Sequence, residues 1–220
     1  MEGNIGSGKS TLIKYLKQQY SNDAQIVFLR EPVDEWLKLT DSDGTNILDA
    51  FYRNKKRWSY TFQMNAFISK VKLINNLRKQ HTGPLIIIAE RCTMTDKHVF
   101  TEMLYKAGDI SELEWKIYNQ WFNWLTEDYN IKPAKYIYLR ADSKVSFSRM
   151  QTRARKEEDI IPFEYINDLH NQHDQWLLRE NKKNNNVLIL DVNKDFKEHL
   201  DYRKEIICKI DDFICDQPLK

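Results

Sequence analysis

The sequence predicts an α/β fold in which a five-stranded parallel sheet is flanked by helices. Two observations predict it. Five strand candidates, four of them apolar runs, alternate along the chain with longer helical stretches, which is the order that parallel strands with helical crossovers require. A glycine-rich turn at the start of the chain joins the first of these segments to a helix. The length of 220 residues suits a single domain, residues 1–220, with a sizeable core.

The bulk composition predicts that function resides in a local site. The net charge is +2, from 34 basic and 32 acidic residues, so we expect no nucleic-acid partner. The mean hydropathy of −0.67, without an apolar run long enough to span a bilayer, predicts no membrane partner. The three cysteines lack metal-ligand spacing, and no targeting peptide is recognisable. We therefore expect a reducing, cytoplasmic location.

The glycine-rich turn fits the phosphate-binding pattern G-x-x-x-x-G-K-[ST] over residues 3–10. Glycines let backbone N–H groups surround phosphate oxygens closely, and an apolar helical pattern follows at once, which disfavours a merely flexible terminus. Lys9 supplies a positive charge and Ser10 a hydroxyl for Mg²⁺. Because two residues precede the turn, the strand before it is expected to be truncated or very short. The predicted ATP-binding residues of this turn are Gly3, Asn4, Ile5, Gly6, Ser7, Gly8, Lys9, Ser10 and Thr11.

Charged residues follow two of the predicted strands. Glu31 lies just past the apolar run of residues 25–30. Ligands of open parallel sheets bind outside the carboxyl ends of the strands, so this carboxylate can face the phosphate loop, although an ordinary turn residue is the alternative. Glu90 and Arg91 follow the clearest buried strand, residues 85–89. They form a second candidate site, with an ion pair that caps the strand as the alternative.

Three long helices are predicted in the middle of the chain, at about residues 57–80, 96–106 and 114–129. Gln63 and Lys70 share one face of the first, which suits a pocket for a planar polar ligand or, as the pattern alone favours, solvent exposure. The third has too many aromatic side chains for one sheet to cover, which predicts either the interface of a homodimer or a large core. These side chains are Trp115, Tyr118, Trp121, Phe122 and Trp124.

An arginine-rich segment follows the fourth predicted strand, residues 136–139. A mixed charge run is usually a solvated helix face. In a chain with a phosphate loop, several arginines before a short loop are also typical of a lid that neutralises transition-state charge. We place this lid at about residues 149–162. The remaining predicted elements are a helix at 162–180, an asparagine turn at 184–186, a strand at 187–190 and a helix at 196–215.

In their order, these segments resemble the deoxyribonucleoside kinase family, and within it the deoxycytidine and deoxyguanosine kinase branch. The resemblance covers nearly the whole chain. It implies a P-loop kinase fold that transfers the γ-phosphate of ATP, or of another nucleoside triphosphate, to the 5′-hydroxyl of a deoxyribonucleoside. The segments that carry it are EGNIGSGKST (2–11), REPVDEW (30–36), RWSYTFQ (57–63), ER and TD (90–91 and 95–96), RARKEE (153–158), IPFEYINDLHNQHDQWL (161–177) and LDVNKDF (190–196).

The resemblance also implies catalytic roles. Glu31 matches the family's general base, and Arg91 matches the arginine that orients the hydroxyl. Glu90 matches a carboxylate linked to Mg²⁺, which it would share with Ser10. The remaining residues expected to act on the transferred phosphate are Lys9, Arg153 and Arg155.

Further residues match the family's binding contacts. Tyr52 and Glu158 match the pair that binds the 3′-hydroxyl, and Gln63 matches the amide that reads the base edge. The aromatic walls match Trp36, Phe62 and Phe100. The additional matches on the ATP side are Arg149, Arg153 and Arg155 in the lid and Asp195 and Phe196 beside the adenine.

Three positions resemble the family's base-selectivity set: Ala66, Lys70 and Asp96. In the deoxycytidine and purine branch an Arg–Asp pair lies near the base, and here Lys70 stands where arginine is usual. Lysine keeps the charge but cannot make a planar bidentate contact, so a looser pair and a broader or shifted specificity are expected. Our hypothesis is that deoxycytidine or a purine deoxynucleoside is preferred over thymidine.

Two other functions fit parts of the sequence. A nucleoside-monophosphate kinase of the thymidylate type shares the loop and lid, but it needs an arginine clamp for a substrate phosphate rather than a carboxylate base. A non-catalytic P-loop module that binds nucleotide or nucleic acid shares the loop. The balanced charge and the lack of an N-K-x-D motif disfavour this second alternative.

Overall fold

The computed structural model describes residues 1–180 and 186–215. Two residues of the expected asparagine turn, Asn184 and Asn185, lie outside this part of the chain. Each strand in the described part runs parallel to its hydrogen-bonded neighbours, as expected. The strands are β1 (Glu2–Gly3), β2 (Ile26–Leu29), β3 (Ile86–Ala89), β4 (Tyr136–Arg140) and β5 (Val187–Asp191).

The strands hydrogen-bond as two groups, which corrects the expectation of one continuous five-stranded sheet. One group has the order β1-β4-β5, and the other pairs β2 with β3. The two groups meet at Met1, whose nitrogen donates to the Ala89 carbonyl at 2.7 Å and whose carbonyl accepts from the Arg91 amide at 2.9 Å. Because β1 has two residues, it is too short to form a regular ladder with both of its neighbours.

The long helices lie close to their expected positions, and α7 begins with the capping box of Ser111 and Glu114. The two short helices α2 and α3 were not predicted, and the last helix begins later than expected, at Leu200. The helices are α1 (Lys9–Gln19), α2 (Val33–Leu37), α3 (Ile47–Arg53), α4 (Lys55–Gln80), α5 (Thr93–Thr95), α6 (Glu102–Lys106), α7 (Glu112–Asp128), α8 (Ser143–Arg153), α9 (Phe163–His173) and α10 (Leu200–Cys215). A π-helical segment, Asp96–Thr101, joins α5 to α6, another, Asp174–Glu180, follows α9, and a 3₁₀ turn, Lys156–Glu158, follows α8.

The strand β4 is buried on both faces. Tyr136 and Tyr138 point into a core formed with α4, α7 and α9. Ile137 and Leu139 point into a second core formed with α1 and α10. Side chains alternate between the faces of a strand, so helices cover both faces of the sheet, as the α/β prediction requires.

The aromatic side chains of α7 divide between the core and the surface. Tyr118 and Phe122 are buried and contact Phe67, with ring centroids 5.9 and 5.1 Å away. Trp121 and Trp124 are 44% and 51% exposed. A large core therefore accounts for part of the aromatic set. None of the described helices has both the length and the apolar character that crossing a membrane demands.

Candidate active site

A cleft of about 550 Å³ lies where β1, β2, β3 and β5 end and their loops begin. Parallel strands direct their carboxyl ends to one edge of a sheet, and these loops bring most of the predicted contact residues together there. The predicted residues that line the cleft are Ile5, Gly6, Gly8, Lys9, Ser10, Thr11, Glu31, Trp36, Tyr52, Phe62, Gln63, Ala66, Glu90, Arg91, Asp96, Phe100, Arg149, Arg153, Arg155, Glu158, Asp195 and Phe196.

Four of the predicted contact residues lie behind the cleft lining: Gly3, Asn4, Ser7 and Lys70. The Asn4 side chain connects the glycine loop to α9, because its amide donates to the Ile166 carbonyl at 2.8 Å. Sequence reasoning also missed part of the lining. Three of the missed residues lie in the REPVDEW segment, which was a signal for them. The missed residues are Arg30, Val33, Asp34, Leu48, Thr152 and Lys197.

The glycine loop passes very close to neighbouring elements. Gly6 has φ +79°, and a Cβ built there would lie 2.1 Å from the Ser146 carbonyl oxygen of α8. Gly8 has φ +94°, and its Cβ would lie 2.9 Å from the ring of Phe196. Both the left-handed backbone and the space therefore require glycine at these two positions. The ring of Phe196 closes one side of the loop.

Lys9 is buried at the floor of the loop. Its Nζ donates to the carbonyls of Gly3 and Asn4 at 2.9 and 2.7 Å. Burial and then the charge of Arg91 lower the pKa of Lys9 to about 7, against the opposing effect of Glu90. The lysine is thus held by its own loop, at the start of α1 and beside the cleft.

The two predicted Mg²⁺ ligands are neighbours. The Ser10 hydroxyl donates to the Glu90 carboxylate. Hydroxyl and carboxylate oxygens are donors that Mg²⁺ accepts, and Mg²⁺ is usually bound by one or two carboxylates together with substrate phosphates. The described residues form no cluster of three or more His, Cys, Asp or Glu that would bind a metal by itself. Ser10 and Glu90 therefore fit a metal that is shared with a nucleotide.

Glu31 is held between two cations. Its Oε2 accepts from Nη1 of Arg91 at 2.7 Å, and its Oε1 lies 3.1 Å from Nζ of Lys70. Burial acts to raise the pKa of Glu31, but the positive charges of Arg91, Lys70 and Lys9 together outweigh it and lower the pKa to about 2. The carboxylate is therefore ionised at neutral pH and fixed in orientation.

Asp96 shares the same lysine but titrates in the opposite direction. Its Oδ1 accepts from Nζ of Lys70 at 2.6 Å, while its Oδ2 is buried without a hydrogen-bond partner among the described residues. Burial raises the pKa of Asp96 to about 6, although Lys70 opposes this shift. Asp96 also lines the cleft, so this unpaired buried acceptor lies in its wall.

Arg91 combines a strained backbone with a fixed side chain. Its φ of +54° lies in the left-handed region, which is uncommon for a residue with a Cβ. The guanidinium carbon lies 5.1 Å from the ring centroid of Phe100, and Nη1 contacts Glu31. The turn after β3 thus directs one arginine at the carboxylate and at an aromatic wall.

Aromatic side chains form the far wall of the cleft. The rings of Trp36 and Phe62 meet edge to face, with centroids 5.4 Å apart, and Phe51 stacks on Phe62 at 4.7 Å. Gln63 is 1% exposed and lines the cleft, and Lys70 is 5% exposed. The expectation that these two polar residues face solvent is therefore wrong, because the cleft and the carboxylates beside it cover this face of α4.

The arginine-rich segment contacts the cleft through a shared carboxylate. Arg153 and Arg155 both pair with Glu158, the latter at 2.9 Å. Arg149 instead donates to the carbonyls of Val192 and Asn193 at 2.7 and 3.0 Å, beyond β5.

The predicted sugar contact Tyr52 lies on the same side of the cleft as this segment. Burial, reinforced by Glu158, raises the pKa of Tyr52. The phenol is therefore protonated at neutral pH and keeps a hydrogen to donate.

A glycine loop, a buried lysine, a fixed carboxylate and an aromatic wall in one cleft define a P-loop phosphotransferase that acts on a second, ring-bearing substrate. The family model for deoxynucleoside kinases matches residues 1–215. The chain belongs to the deoxynucleoside kinase family.

Individual relatives agree with the family match. The chain is 36% identical over 218 residues to a probable deoxycytidine kinase of fowlpox virus, covering 98% of this chain and 87% of the relative. It is 34% identical over 239 residues to the deoxycytidine kinase of Bos taurus, covering 97% and 89%. It is 34% identical over 223 residues to a mitochondrial deoxyguanosine kinase of Xenopus laevis, covering 90% and 82%.

Proposed function

We propose that this protein is an ATP-dependent kinase that phosphorylates the 5′-hydroxyl of a deoxyribonucleoside to give the 5′-monophosphate. One observation carries the proposal: Glu31 lies in the cleft of the glycine loop, bound to Arg91 at 2.7 Å. A nucleoside-monophosphate kinase would need an arginine free to clamp a substrate phosphate. Arg91 is instead engaged by the carboxylate, which suits a hydroxyl acceptor.

The acceptor hydroxyl reacts beside Glu31 in this mechanism. Arg91 and the aromatic wall orient the nucleoside so that its 5′-oxygen points along the cleft toward the glycine loop. The 5′-oxygen attacks the γ-phosphorus, the bond to the β,γ-bridging oxygen breaks, and the hydroxyl proton passes to Glu31. Because the low pKa makes Glu31 a weak base in the ground state, proton transfer accompanies the development of charge rather than preceding it.

The donor phosphates bind at the other end of the cleft. Backbone N–H groups of the loop and Lys9 hold the phosphates, and Arg153 and Arg155 neutralise the charge that develops on the transferred group. Ser10 and Glu90 would hold Mg²⁺, which supplies positive charge to the phosphate oxygens when it is bound. The ring of Phe196, with Asp195 beside it, lies where the loop meets the surface and suits the donor base.

We assign the lid to about residues 149–162 within one kinase domain that comprises residues 1–220. The support for the lid is that Arg149, Arg153 and Arg155 line the cleft, and that Glu158 pairs with the latter two. Tyr52 and Glu158 are assigned to the 3′-hydroxyl, since both line the cleft between the lid and the aromatic wall.

The nucleoside preferred by this kinase is deoxycytidine or a purine deoxynucleoside. The relatives named above are deoxycytidine and deoxyguanosine kinases. Gln63 and the free Oδ2 of Asp96 supply polar groups at the base end, with Ala66 leaving room beside them. An acceptor such as the Asp96 oxygen suits an exocyclic amino group, which cytosine, adenine and guanine carry and thymine lacks.

We also propose that the protein is a cytoplasmic homodimer. The exposed pair Trp121 and Trp124 on α7, with ring centroids 5.5 Å apart, supports an interface on that helix. All three cysteines are free, which supports a reducing compartment. Light scattering of the wild type and of Trp124→Glu tests the dimer, and a monomeric wild type would contradict it.

A substrate panel tests the proposed function. Release of ADP is measured with ATP and Mg²⁺ against deoxycytidine, deoxyguanosine, deoxyadenosine, thymidine and thymidine monophosphate. We expect turnover with free nucleosides and best turnover with one that carries an exocyclic amino group. Turnover with the monophosphate in place of nucleosides would identify the other kinase type, and turnover with neither would contradict the proposal.

A further inference from the structure

The lysine on α4 has a position that base recognition does not explain. Lys70 is 5% exposed and lies behind the cleft lining, so its ammonium group does not face the space that a nucleobase would occupy. Its Nζ lies 2.6 Å from Oδ1 of Asp96 and 3.1 Å from Oε1 of Glu31. Two of its three N–H donors are therefore directed at two different carboxylates.

We propose that Lys70 is a positioning residue that couples base recognition to proton acceptance: its ammonium group fixes and charges Glu31, and Asp96 controls how strongly it does so. This inference rests on the proposed function, in which Glu31 is the general base and Asp96 contacts the nucleobase. It assigns Lys70 a part in the chemical step rather than in substrate contact.

The two carboxylate oxygens of Glu31 contact different cations. Arg91 occupies Oε2 and Lys70 lies beside Oε1, so each oxygen has its own cation. Loss of Lys70 would leave Oε1 without a counter-ion inside a buried site. The carboxylate would then rotate more freely about Arg91, which reduces its competence as a base at the 5′-hydroxyl, and its pKa would rise.

Glu31 and Asp96 compete for the ammonium group of Lys70. The ammonium group is closer to Asp96 than to Glu31, by the difference between 2.6 and 3.1 Å. Asp96 lines the cleft, and its second oxygen, Oδ2, is buried without a hydrogen-bond partner among the described residues. A base amino group that donates to this oxygen neutralises part of the Asp96 charge. The hold of Asp96 on Lys70 then weakens, and the ammonium group acts more strongly on Glu31.

The lysine is the suitable side chain for this coupling. A guanidinium engages one carboxylate through a planar pair of bonds, whereas an ammonium is a compact charge whose donors point to separate partners. Other charged or titratable groups also act on Glu31 or on the cations around it, and they remain in place when Lys70 is changed. They are Arg91 after β3, Lys9 on α1, Glu90 after β3, Tyr52 on α3, Arg153 on α8 and Asp96 in the π-helical segment.

A double-mutant cycle on kcat tests the coupling. Lys70→Met is measured in the wild-type background and in Glu31→Gln, with deoxycytidine and ATP. We expect Lys70→Met to lower kcat by about tenfold or more in the first background and to have little further effect in the second, because its action passes through Glu31. In the wild-type background the acid-side pKa of the kcat profile should also rise with Lys70→Met.

Two further variants separate positioning from folding. Lys70→Met leaves Asp96 as an unpaired buried charge, so the neutral pair Lys70→Met/Asp96→Asn provides a version without that penalty. It should melt near the wild type and still show the loss of kcat. Lys70→Arg restores a positive charge and should recover kcat to within about threefold, although its planar group cannot reproduce the two separate contacts fully.

Failure of the Lys70 coupling and failure of the proposed kinase function give different outcomes. An equal loss of kcat from Lys70→Met in both backgrounds, or a neutral pair with wild-type kcat, overturns the coupling and leaves the kinase assignment intact. A wild type that phosphorylates no deoxyribonucleoside, or a Glu31→Gln enzyme with undiminished kcat, overturns the proposed function and the coupling together.

Discussion

The donor end of the cleft is formed mainly by backbone, whereas the acceptor end is formed by charged side chains. At the donor end the loop is shaped by its backbone: Gly6 and Gly8 adopt φ values of +79° and +94° and lie against α8 and Phe196. At the acceptor end charged side chains from separate elements are brought within 3.1 Å of one another, with Glu31 and Lys70 as the pair at that distance. The shape of the glycine loop depends on consecutive residues in the sequence. The cluster of charges depends on the tertiary fold, which brings together residues that are far apart in the chain.

The difference also decides what each end tolerates. A glycine loop fails when an added Cβ meets neighbouring backbone, whatever the charge of the new residue. The acceptor end fails when charge is removed, because a buried ion that loses its partner is strongly destabilised. The two ends can therefore be damaged independently.

The first prediction removes the charge at the acceptor end. Glu31→Gln should lower kcat by roughly 10² or more, because the amide keeps the shape of the side chain but does not accept the hydroxyl proton. Affinity for deoxycytidine should change little. Steady-state kinetics with a calorimetric measurement of nucleoside binding checks both parts. A variant that retains most of its kcat would remove Glu31 from the role of base.

The second prediction perturbs backbone shape and has a matched control in the same chain. Gly6 and Gly44 have φ of +79° and +80°, but a Cβ at Gly6 would lie 2.1 Å from a backbone oxygen and one at Gly44 would meet nothing within 4 Å. Gly6→Ala should lower the free energy of unfolding by about 2–3 kcal/mol, and Gly44→Ala by about 1 kcal/mol.

Denaturant unfolding of both alanine variants gives the comparison. The difference between them reports the steric cost at the loop, because φ is nearly the same at the two positions. Equal losses of stability would show that close packing of the loop against α8 is not important.

The third prediction concerns the choice of base. The wild type should favour deoxycytidine over thymidine by about tenfold or more in kcat/KM, because thymine offers no amino group to Oδ2 of Asp96. Asp96→Asn should reduce this preference. A competition assay with both nucleosides in one reaction measures the ratio directly. Preferential phosphorylation of thymidine by the wild type would be the contrary result.

The fourth prediction uses the opposite titration of the two carboxylates. The pKa of Asp96 is raised to about 6, so the folded protein keeps this proton to a higher pH than the unfolded chain does. The wild type should therefore lose stability from this group as pH rises from about 4 to 6, by about 1.4 kcal/mol for each pKa unit. Asp96→Asn lacks the group and should gain stability relative to the wild type over that range.

The contribution of Glu31 has the other sign. Its pKa is lowered to about 2, so its stabilisation is complete above the ordinary carboxylate pKa and is lost as pH falls from that pKa through about 2. Urea unfolding of the wild type and Asp96→Asn at several pH values separates the two groups. A difference in stability that stays constant from pH 4 to 6 would contradict the raised pKa of Asp96.

Much of the fold is readable from local patterns. Apolar runs mark β2, β3, β4 and β5, and periodicity with a capping box marks α7. The short helices α2 and α3, of five and seven residues, lack enough periodicity to be recognised. Their packing in one apolar cluster with α4 stabilises them, and that packing is a property of the tertiary structure. The division of the sheet at the two-residue strand β1 was likewise not predictable from the apolar pattern.

The site was predictable to the extent that it follows strand ends. Glu31, Glu90 and Arg91 were identified because they follow buried strands, and the structure places all three in the cleft. For Lys70 the helical pattern alone favoured solvent exposure, whereas the family resemblance paired it with Asp96, as the structure does. Its second carboxylate partner, Glu31, lies 39 residues before it in the chain. That contact was not recognised without the fold.

Calorimetric titration of ADP and of deoxycytidine into the wild type, Gly6→Ala and Glu31→Gln tests most directly the claim that the two ends act separately. We predict that Gly6→Ala weakens ADP binding by about tenfold or more while its Kd for deoxycytidine stays within about threefold of the wild type. Glu31→Gln should bind both ligands as the wild type does. Equal weakening of both ligands by Gly6→Ala, or loss of deoxycytidine binding in Glu31→Gln, would contradict the separation of a backbone-built donor end from a charge-built acceptor end.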